Sequence, residues 1–213
     1  MSALPRAAWR GSVAYRRALV EQRERRERVL EGAPEAFWLL EHPEVVTTGR
    51  RVVAPPPAAW LRARGADLVV TERGGLLTWH GPGQLVGYFI VDLGRRGIGT
   101  RRFVHGVEQG LIDWLDTVGV RSGRRDGLHG VWCDTRKVAS LGLHIRHGVT
   151  LHGFSLNLDP DLTAFDGFTA CGVQGAVATS VRRESGRVLT PAGAARSVAA
   201  HVDAAIASIC VDS

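Results

Sequence analysis

The sequence predicts a single mixed domain of the α/β or α+β class, spanning residues 1–213. Three observations carry this. Apolar residues make up 45% of the chain and charged residues 23%, close to ordinary globular proportions. Stretches rich in β-branched and aromatic residues are interspersed, without regular βαβ alternation, among segments of helical period. Neither a fixed-period repeat nor a low-complexity linker divides the chain, and its length is enough to bury one sizeable core.

Taken in order, Gly11–Gly32 is charged with intermittent apolar positions (Val13, Leu19, Val20, Val29, Leu30), which fits a surface helix. "AFWLLEHPEVVTTG" reads as strand interrupted at His42-Pro43. The three prolines of "APPPAAW" (Ala54–Trp60) predict an irregular loop. "ADLVVTE" and "QLVGYFIVDL" have strand composition. In "TRRFVHGVEQGLIDWLDTVG", Phe103, Val107, Leu111, Trp114, Leu115 and Val118 recur at helical spacing, and Gly119 supplies the stop. Val138–Arg146 and Val149–Leu158 alternate around His147-Gly148, which predicts a hairpin. On its second arm, strict alternation places His152, Phe154 and Leu156 on one face, Gly153 and Ser155 on the other. The last segment opens with Thr190 as N-cap and Pro191 at the first helical position. Val198, Val202, Ala205, Ile206 and Ile209 then give it an apolar face.

Formal charge is +6, which favours acidic partners, although basic residues occur mostly as scattered pairs. No zinc-finger, RRM or KH signature appears, so nucleic acid is not an expected partner. Three widely spaced cysteines (Cys133, Cys171, Cys210) predict reduced thiols and a cytoplasmic setting. No apolar run reaches the roughly 18 residues of a membrane span, and no secretory h-region opens the chain. Three histidines in "HIRHGVTLH" lack acidic or cysteine companions at ligand spacing, so neither metal nor cofactor is expected.

Lys137 is the only lysine among 27 Lys and Arg residues. An arginine supplies charge but cannot release a proton at ordinary pH, whereas an amine can accept and return one. Cys171, in "FTACGVQG", has small loop-like neighbours that would leave its sulfur accessible, whereas Cys133 and Cys210 sit in apolar strand-like and helical contexts and read as inert. A cation near Cys171 would favour its thiolate. In "RGGLLTWHGPGQ", adjacent glycines permit close backbone approach to a ligand, with Arg73, His80 and Gln84 around the bend.

"RGGLLTWHGPGQLVGY", "RKVASLGLHIRHGVTLHGFSLN" and "ACGVQGAVATS", in this order, closely resemble the octanoyltransferases of lipoate synthesis, the lipoate-protein ligase B family. "EHPEVVTTGRR" resembles the family's early strand and loop, and the likeness spans roughly residues 35–182. The resemblance implies a biotin/lipoate ligase-type catalytic domain, with a larger mixed sheet and a smaller sheet flanked by helices. It implies transfer of an octanoyl group from octanoyl-acyl carrier protein to a specific lysine of lipoyl domains, those of 2-oxoacid dehydrogenase complexes and the glycine cleavage H protein. Cys171 matches the acyl-thioester nucleophile and Lys137 the lysine that lowers the thiol pKa. Arg73, Gly74, Gly75, Leu76, Leu77, Thr78, Trp79 and His80 match acyl-substrate-binding positions, as do Ser140, Leu141, Gly142, Gly153, Phe154 and Ser155. Trp79 replaces the family's usual tyrosine and is expected to reshape a pocket wall. Two rivals stand against this reading: an ATP-dependent lipoate or biotin ligase, and a non-catalytic module that binds a carrier or nucleic acid.

Overall fold

The computed structural model describes residues 3–51, 54–166 and 177–209. Among them an eight-stranded sheet forms from β1 (Ala8–Ser12), β2 (Ala36–Glu41), β6 (Gln84–Ile90), β7 (Gly123–Arg125), β8 (Leu128–Cys133), β9 (Arg136–Arg146), β10 (Val149–Asn157) and β11 (Val177–Ala178). Its order is β1-β2-β6-β10-β9-β8-β7, with β11 joined to β9. The pairs β1–β2 and β9–β11 are parallel and the others antiparallel, so the sheet is mixed. A second sheet, in the order β4-β3-β5, joins β3 (Val45–Thr48), β4 (Asp67–Val70) and β5 (Leu77–His80).

Two layers pack on the larger sheet. On one face lie α3 (Thr100–Thr117) and α5 (Pro191–Ile209), whose apolar residues meet Phe37, Leu39, Leu85, Phe89, Phe154 and Leu156 in the largest core cluster. On the other lies α1 (Tyr15–Leu30), which buries Ala18 and Val29 against Leu40, Val86, Tyr88, Ile90 and Leu151. The alternation along β6 is the cause: Leu85 and Phe89 face α3 and α5, while Val86, Tyr88 and Ile90 face α1.

The long periodic segments fold as their patterns predict. α3 ends at Thr117 with Gly119 at φ 79°, and α5 begins at Pro191 with the Thr190 hydroxyl accepting from the Gly193 N–H at 3.2 Å. His147 and Gly148 both have positive φ, the type I′ turn that matches the twist of its flanking strands. Differences arise where segments are short. Gly11 belongs to β1, and the helix starts only at Tyr15; one of its faces is buried rather than lying on the surface. The proline loop ends early: Pro57 occupies an N-cap position and Ala58–Arg64 form α2, because a fixed φ pre-sets helix entry. A short helix α4 (Val181–Ser185), capped by Ser180, follows β11.

Candidate active site

A cavity of about 690 Å³ lies between the two sheets and α3. Its roof is the loop running from Arg73 to Leu76, fastened to both sheets. Arg73, buried, donates from Nη2 to the Thr47 carbonyl and hydroxyl of β3 (both 2.8 Å), and from Nε to the same hydroxyl (3.2 Å). The Gly74 N–H donates to the Leu143 carbonyl of β9 at 3.1 Å. A side chain at Gly142 would stand 3.3 Å from the Gly74 carbonyl oxygen, so the roof rests directly on bare β9 backbone.

The inner end is closed by Tyr15, His80, Tyr88 and His152, all buried. Burial pushes His80 down to about 3 and His42, behind it, to about 4, so both rings are neutral. His42 donates through Nδ1 to the Val13 carbonyl (2.5 Å), which leaves Nε2 to accept from the Tyr88 hydroxyl (2.7 Å). His80 donates through Nδ1 to Gln84 Oε1 (2.6 Å), so its Nε2 is the acceptor. Gln84 passes its own N–H to Asn157 Oδ1 (2.9 Å), and Asn157 donates to the Thr179 carbonyl (2.9 Å). A continuous line of hydrogen bonds thus runs from the cavity floor to the strand lying beside Lys137.

His152 departs from strand alternation. Its φ is 63°, a left-handed conformation that costs a non-glycine residue on the order of 1–3 kcal/mol. Its N–H donates to Gln22 Oε1 on α1 at 2.9 Å, and its ring stands 6.2 Å from that of Tyr88. The ring therefore lies with the α1-facing residues, while Phe154 and Leu156 stay in the opposite core. The shared face expected for His152, Phe154 and Leu156 is corrected on this ground. Burial holds the imidazole neutral, its pKa pushed down to about 3. Burial, the largest single influence, would raise the pKa of nearby Glu72, but the hydrogen bonds from Arg23 at 2.7 and 3.0 Å, a backbone hydrogen bond and the neighbouring charges together outweigh it and keep the carboxyl down at about 2.

The outer end lies beside half-buried Lys137, and the exposed basic side chains among those lining the cavity are Arg51, Arg101, His105 and His129. Lys137 Nζ lies 5.0 Å from the centre of the Trp132 ring, and the Arg125 guanidinium lies 5.2 Å from the same ring. Across from the lysine is Gly130, at φ 110°, where a Cβ would approach Lys137 Cε to 2.6 Å. Glu108, a buried carboxylate of α3, accepts the Gly130 N–H at 2.8 Å and pairs with Arg124 at 3.2 Å. The β8–β9 register shifts between Val131 and Trp132, next to Lys137, a bulge that re-aims the side chain.

Of the residues singled out in the sequence, Arg73, Gly74, Gly75, Leu76, Leu77, Thr78 and His80 line this one cavity, as do Lys137, Ser140, Leu141, Gly142, Gly153, Phe154 and Ser155. Trp79 is not among the lining residues. It is buried in the small-sheet cluster with Val46, Leu77, Ala164 and Phe165, where its indole donates to Glu44 at 3.3 Å. The tyrosine-to-tryptophan departure thus alters packing behind the wall, not the wall. Cys171 and Cys210 lie outside the described residues. Cys133 is buried, and burial pushes its thiol up to about 12, as befits an inert core sulfur. Among the described residues no group of three His, Cys, Asp or Glu could hold a metal ion, and no helix is long and apolar enough to cross a membrane. Sequence reasoning passed over Tyr15, Tyr88, Glu108, Gly130 and Trp132. Only Glu108 left a usable trace: an acid four residues after Val104, on the flank of the apolar face of α3.

The sequence matches the family described as the lipoyl protein ligase A/B catalytic domain over residues 11–203. It is 40% identical over 190 residues to an octanoyltransferase of Mycolicibacterium gilvum, covering 86% of this chain and 78% of that one. With an octanoyltransferase of Novosphingobium aromaticivorans it shares 41% identity over 203 residues, covering 92% and 89%. In fold it is similar to a lipoate-protein ligase A crystallised with ATP (TM-score 0.70, 13% identity, 97% of this chain and 85% of that one). A biotin protein ligase of Aquifex aeolicus shows the same fold less closely (TM-score 0.55, 9% identity, 97% and 71%). The mixed large sheet, the small sheet and the flanking helices are therefore those of the lipoate/biotin ligase catalytic fold, and this chain belongs to the lipoyl protein ligase A/B catalytic-domain family.

Proposed function

We propose that this protein transfers an octanoyl group from octanoyl-acyl carrier protein to the lysine of lipoyl domains, those of 2-oxoacid dehydrogenase complexes and the glycine cleavage H protein. One observation carries the reading: a cavity closed at a buried inner end is lined by the chain's single lysine, in a protein whose relatives are octanoyltransferases. The acyl chain lies inward against Leu76, Leu77 and Leu141, each buried methylene contributing about 0.8 kcal/mol. Its carbonyl stays near Lys137.

Cys171 is the nucleophile. Its thiolate attacks the carbonyl of the carrier-bound thioester, forming a new C–S bond while the bond to the carrier sulfur breaks. Lys137 takes the thiol proton and returns it to the departing carrier thiol. In the second half, the neutral amine of the lipoyl-domain lysine attacks, a C–N bond forms, the bond to Cys171 breaks, and the amine's proton passes by way of Lys137 to the sulfur. Ala178, seven residues after Cys171 in the sequence, pairs with Lys137, and the Thr179 N–H donates to the Lys137 carbonyl at 3.0 Å. This local tie supports a short path between the two groups. Backbone N–H groups of the glycine-rich segments are the candidates for holding the oxyanion.

The test is mass spectrometry of the intact protein mixed with octanoyl-carrier. A single thioester-linked octanoyl adduct is expected, on the peptide containing Cys171, and it should vanish in Cys171→Ser together with transfer to a lipoyl domain. Transfer undiminished in that variant, or transfer requiring free octanoate and ATP, would sink the proposal.

A further inference from the structure

We infer that Glu108 is a positioning residue for Lys137: it fixes the Gly130 backbone against which the lysine is seated over Trp132. Its effect on octanoyl transfer rests on the function proposed above, whereas the seating itself does not. Glu108 is the only charged side chain among the residues that α3 buries, beside Phe103, Val107, Leu111, Trp114 and Leu115. Burying a carboxylate is unfavourable unless its oxygens meet donors. Both oxygens of this one do: Oε1 accepts the Gly130 N–H at 2.8 Å, and Oε2 accepts from Arg124 Nε at 3.2 Å. Arg124 is fixed in turn, donating to the His105 carbonyl at 2.8 Å and to Gln109 Oε1 at 3.1 Å. The carboxylate is therefore aimed by its own helix at a single backbone group of β8.

That group belongs to a residue outside the regular ladder. β8 pairs with β9 at Val131–Ala139 and Trp132–Lys137, and with β7 at Leu128–Arg125 and Trp132–Gly123, so Gly130 stands in neither register. Its φ of 110° breaks the strand, and its N–H goes to Glu108. The same residue backs the lysine. A Cβ at Gly130 would stand 2.6 Å from Lys137 Cε and 3.3 Å from Nζ, so the end of the lysine lies against bare Gly130 backbone. On its other side Nζ lies 5.0 Å from the centre of the Trp132 ring. Without its acceptor the Gly130 N–H would be left buried and unpaired, and the peptide would turn to find another partner. That turn moves the surface on which the lysine rests. The effect runs from Glu108 through Gly130 to Lys137, with no contact between Glu108 and the reacting atoms.

The experiment uses the full-length protein grown with lysine carrying a heavy carbon isotope at Cε, which gives one NMR cross-peak because Lys137 is the only lysine. In wild type the Trp132 ring should displace that peak upfield from the position of free lysine. Glu108→Leu keeps the bulk, suits the apolar face of α3 and removes the acceptor. Its peak should move to the free-lysine position. Its kcat for octanoyl transfer should fall at least about tenfold, with KM for octanoyl-carrier changed less than about threefold. Glu108→Gln, which still offers Gly130 an oxygen, should lie between the two on both measures. Arg124→Ala, a change in an exposed residue outside the cavity wall, should move the peak the same way by less.

A peak that stays at its wild-type position in Glu108→Leu would overturn the inference, and so would a displaced peak with kcat undiminished. A glutamine protein no nearer to wild type than the leucine one would overturn it too. Should the leucine protein not fold, an unmoved peak in Arg124→Ala would do the same. Wild-type protein unable to move octanoyl from the carrier would overturn the proposed function, and the cross-peaks, read without substrate, would still decide the seating.

Discussion

At the scale of single residues, the outer end of the cavity depends on an atom that is missing. Gly130 has a backbone conformation closed to most side chains, and a Cβ there would lie 2.4 Å from the Ala139 carbonyl oxygen and 2.6 Å from Lys137 Cε. Gly130→Ala should therefore push the lysine off its seat over Trp132. We expect kcat for octanoyl transfer to fall at least about tenfold with far-ultraviolet circular dichroism unchanged, because small misplacements of a reacting group are costly. Turnover equal to wild type would show that the lysine's position is not critical. Little of this was legible in the sequence. The lone lysine stands out by composition, but Gly130 is one glycine among 26 and nothing marks it. His152 was placed on the wrong face for a related reason: alternation assumes extended dihedrals, and a left-handed histidine leaves no mark in the sequence. The contiguous motif implies that Trp79 lines the cavity with its neighbours, whereas its indole is buried in the small-sheet cluster against Val46, Ala164 and Phe165.

At the scale of elements, the clearest patterns were the long ones. The apolar period of α3, the Pro191 start of α5 and the His147-Gly148 turn each act locally, so their signals survive without knowledge of the partners. The short β1, β7, β11, α2 and α4 exist because neighbours hold them, and two to seven residues carry too little period to be read. Close packing between α3 and α5 was likewise invisible. A Cβ on Gly110 would meet Val202 Cα at 2.4 Å, so Gly110→Ala must part the helices. The cost should be about 1–3 kcal/mol, lowering Tm by roughly 2–4 °C per kcal/mol. An unchanged melting curve would mean that the helix pair yields more easily than its packing implies.

At the scale of the whole molecule, three neutral imidazoles in one buried region make stability depend on pH. His42, His80 and His152 have folded-state pKa values near 4, 3 and 3, below the ordinary value of 6.5. The unfolded chain thus binds protons that the folded one refuses. Stability is full above about pH 6.5 and is lost as pH falls toward 4, by up to about 1.4 kcal/mol per histidine per pH unit. Urea unfolding at pH 7.5 and 5.5 should show a clear drop in midpoint at the lower pH. A flat profile would mean that protonated rings find room or partners inside. The overall architecture was largely legible through the ordered motifs, two of which, Arg73–Tyr88 and Arg136–Asn157, supply lining residues to the cavity. What could not be read was its direction, because which end is sealed depends on α1, a helix that contributes to none of those motifs.

The roof loop is stapled through Arg73 to one sheet and through Gly74 to the other. The gap between the sheets and the bore of the channel are consequently a single mechanical quantity. A substitution far from the loop that tilts the small sheet will alter ligand preference without touching the ligand. Efforts to redesign selectivity should accordingly treat Thr47 and Leu143, which hold the two staples, as dials in their own right.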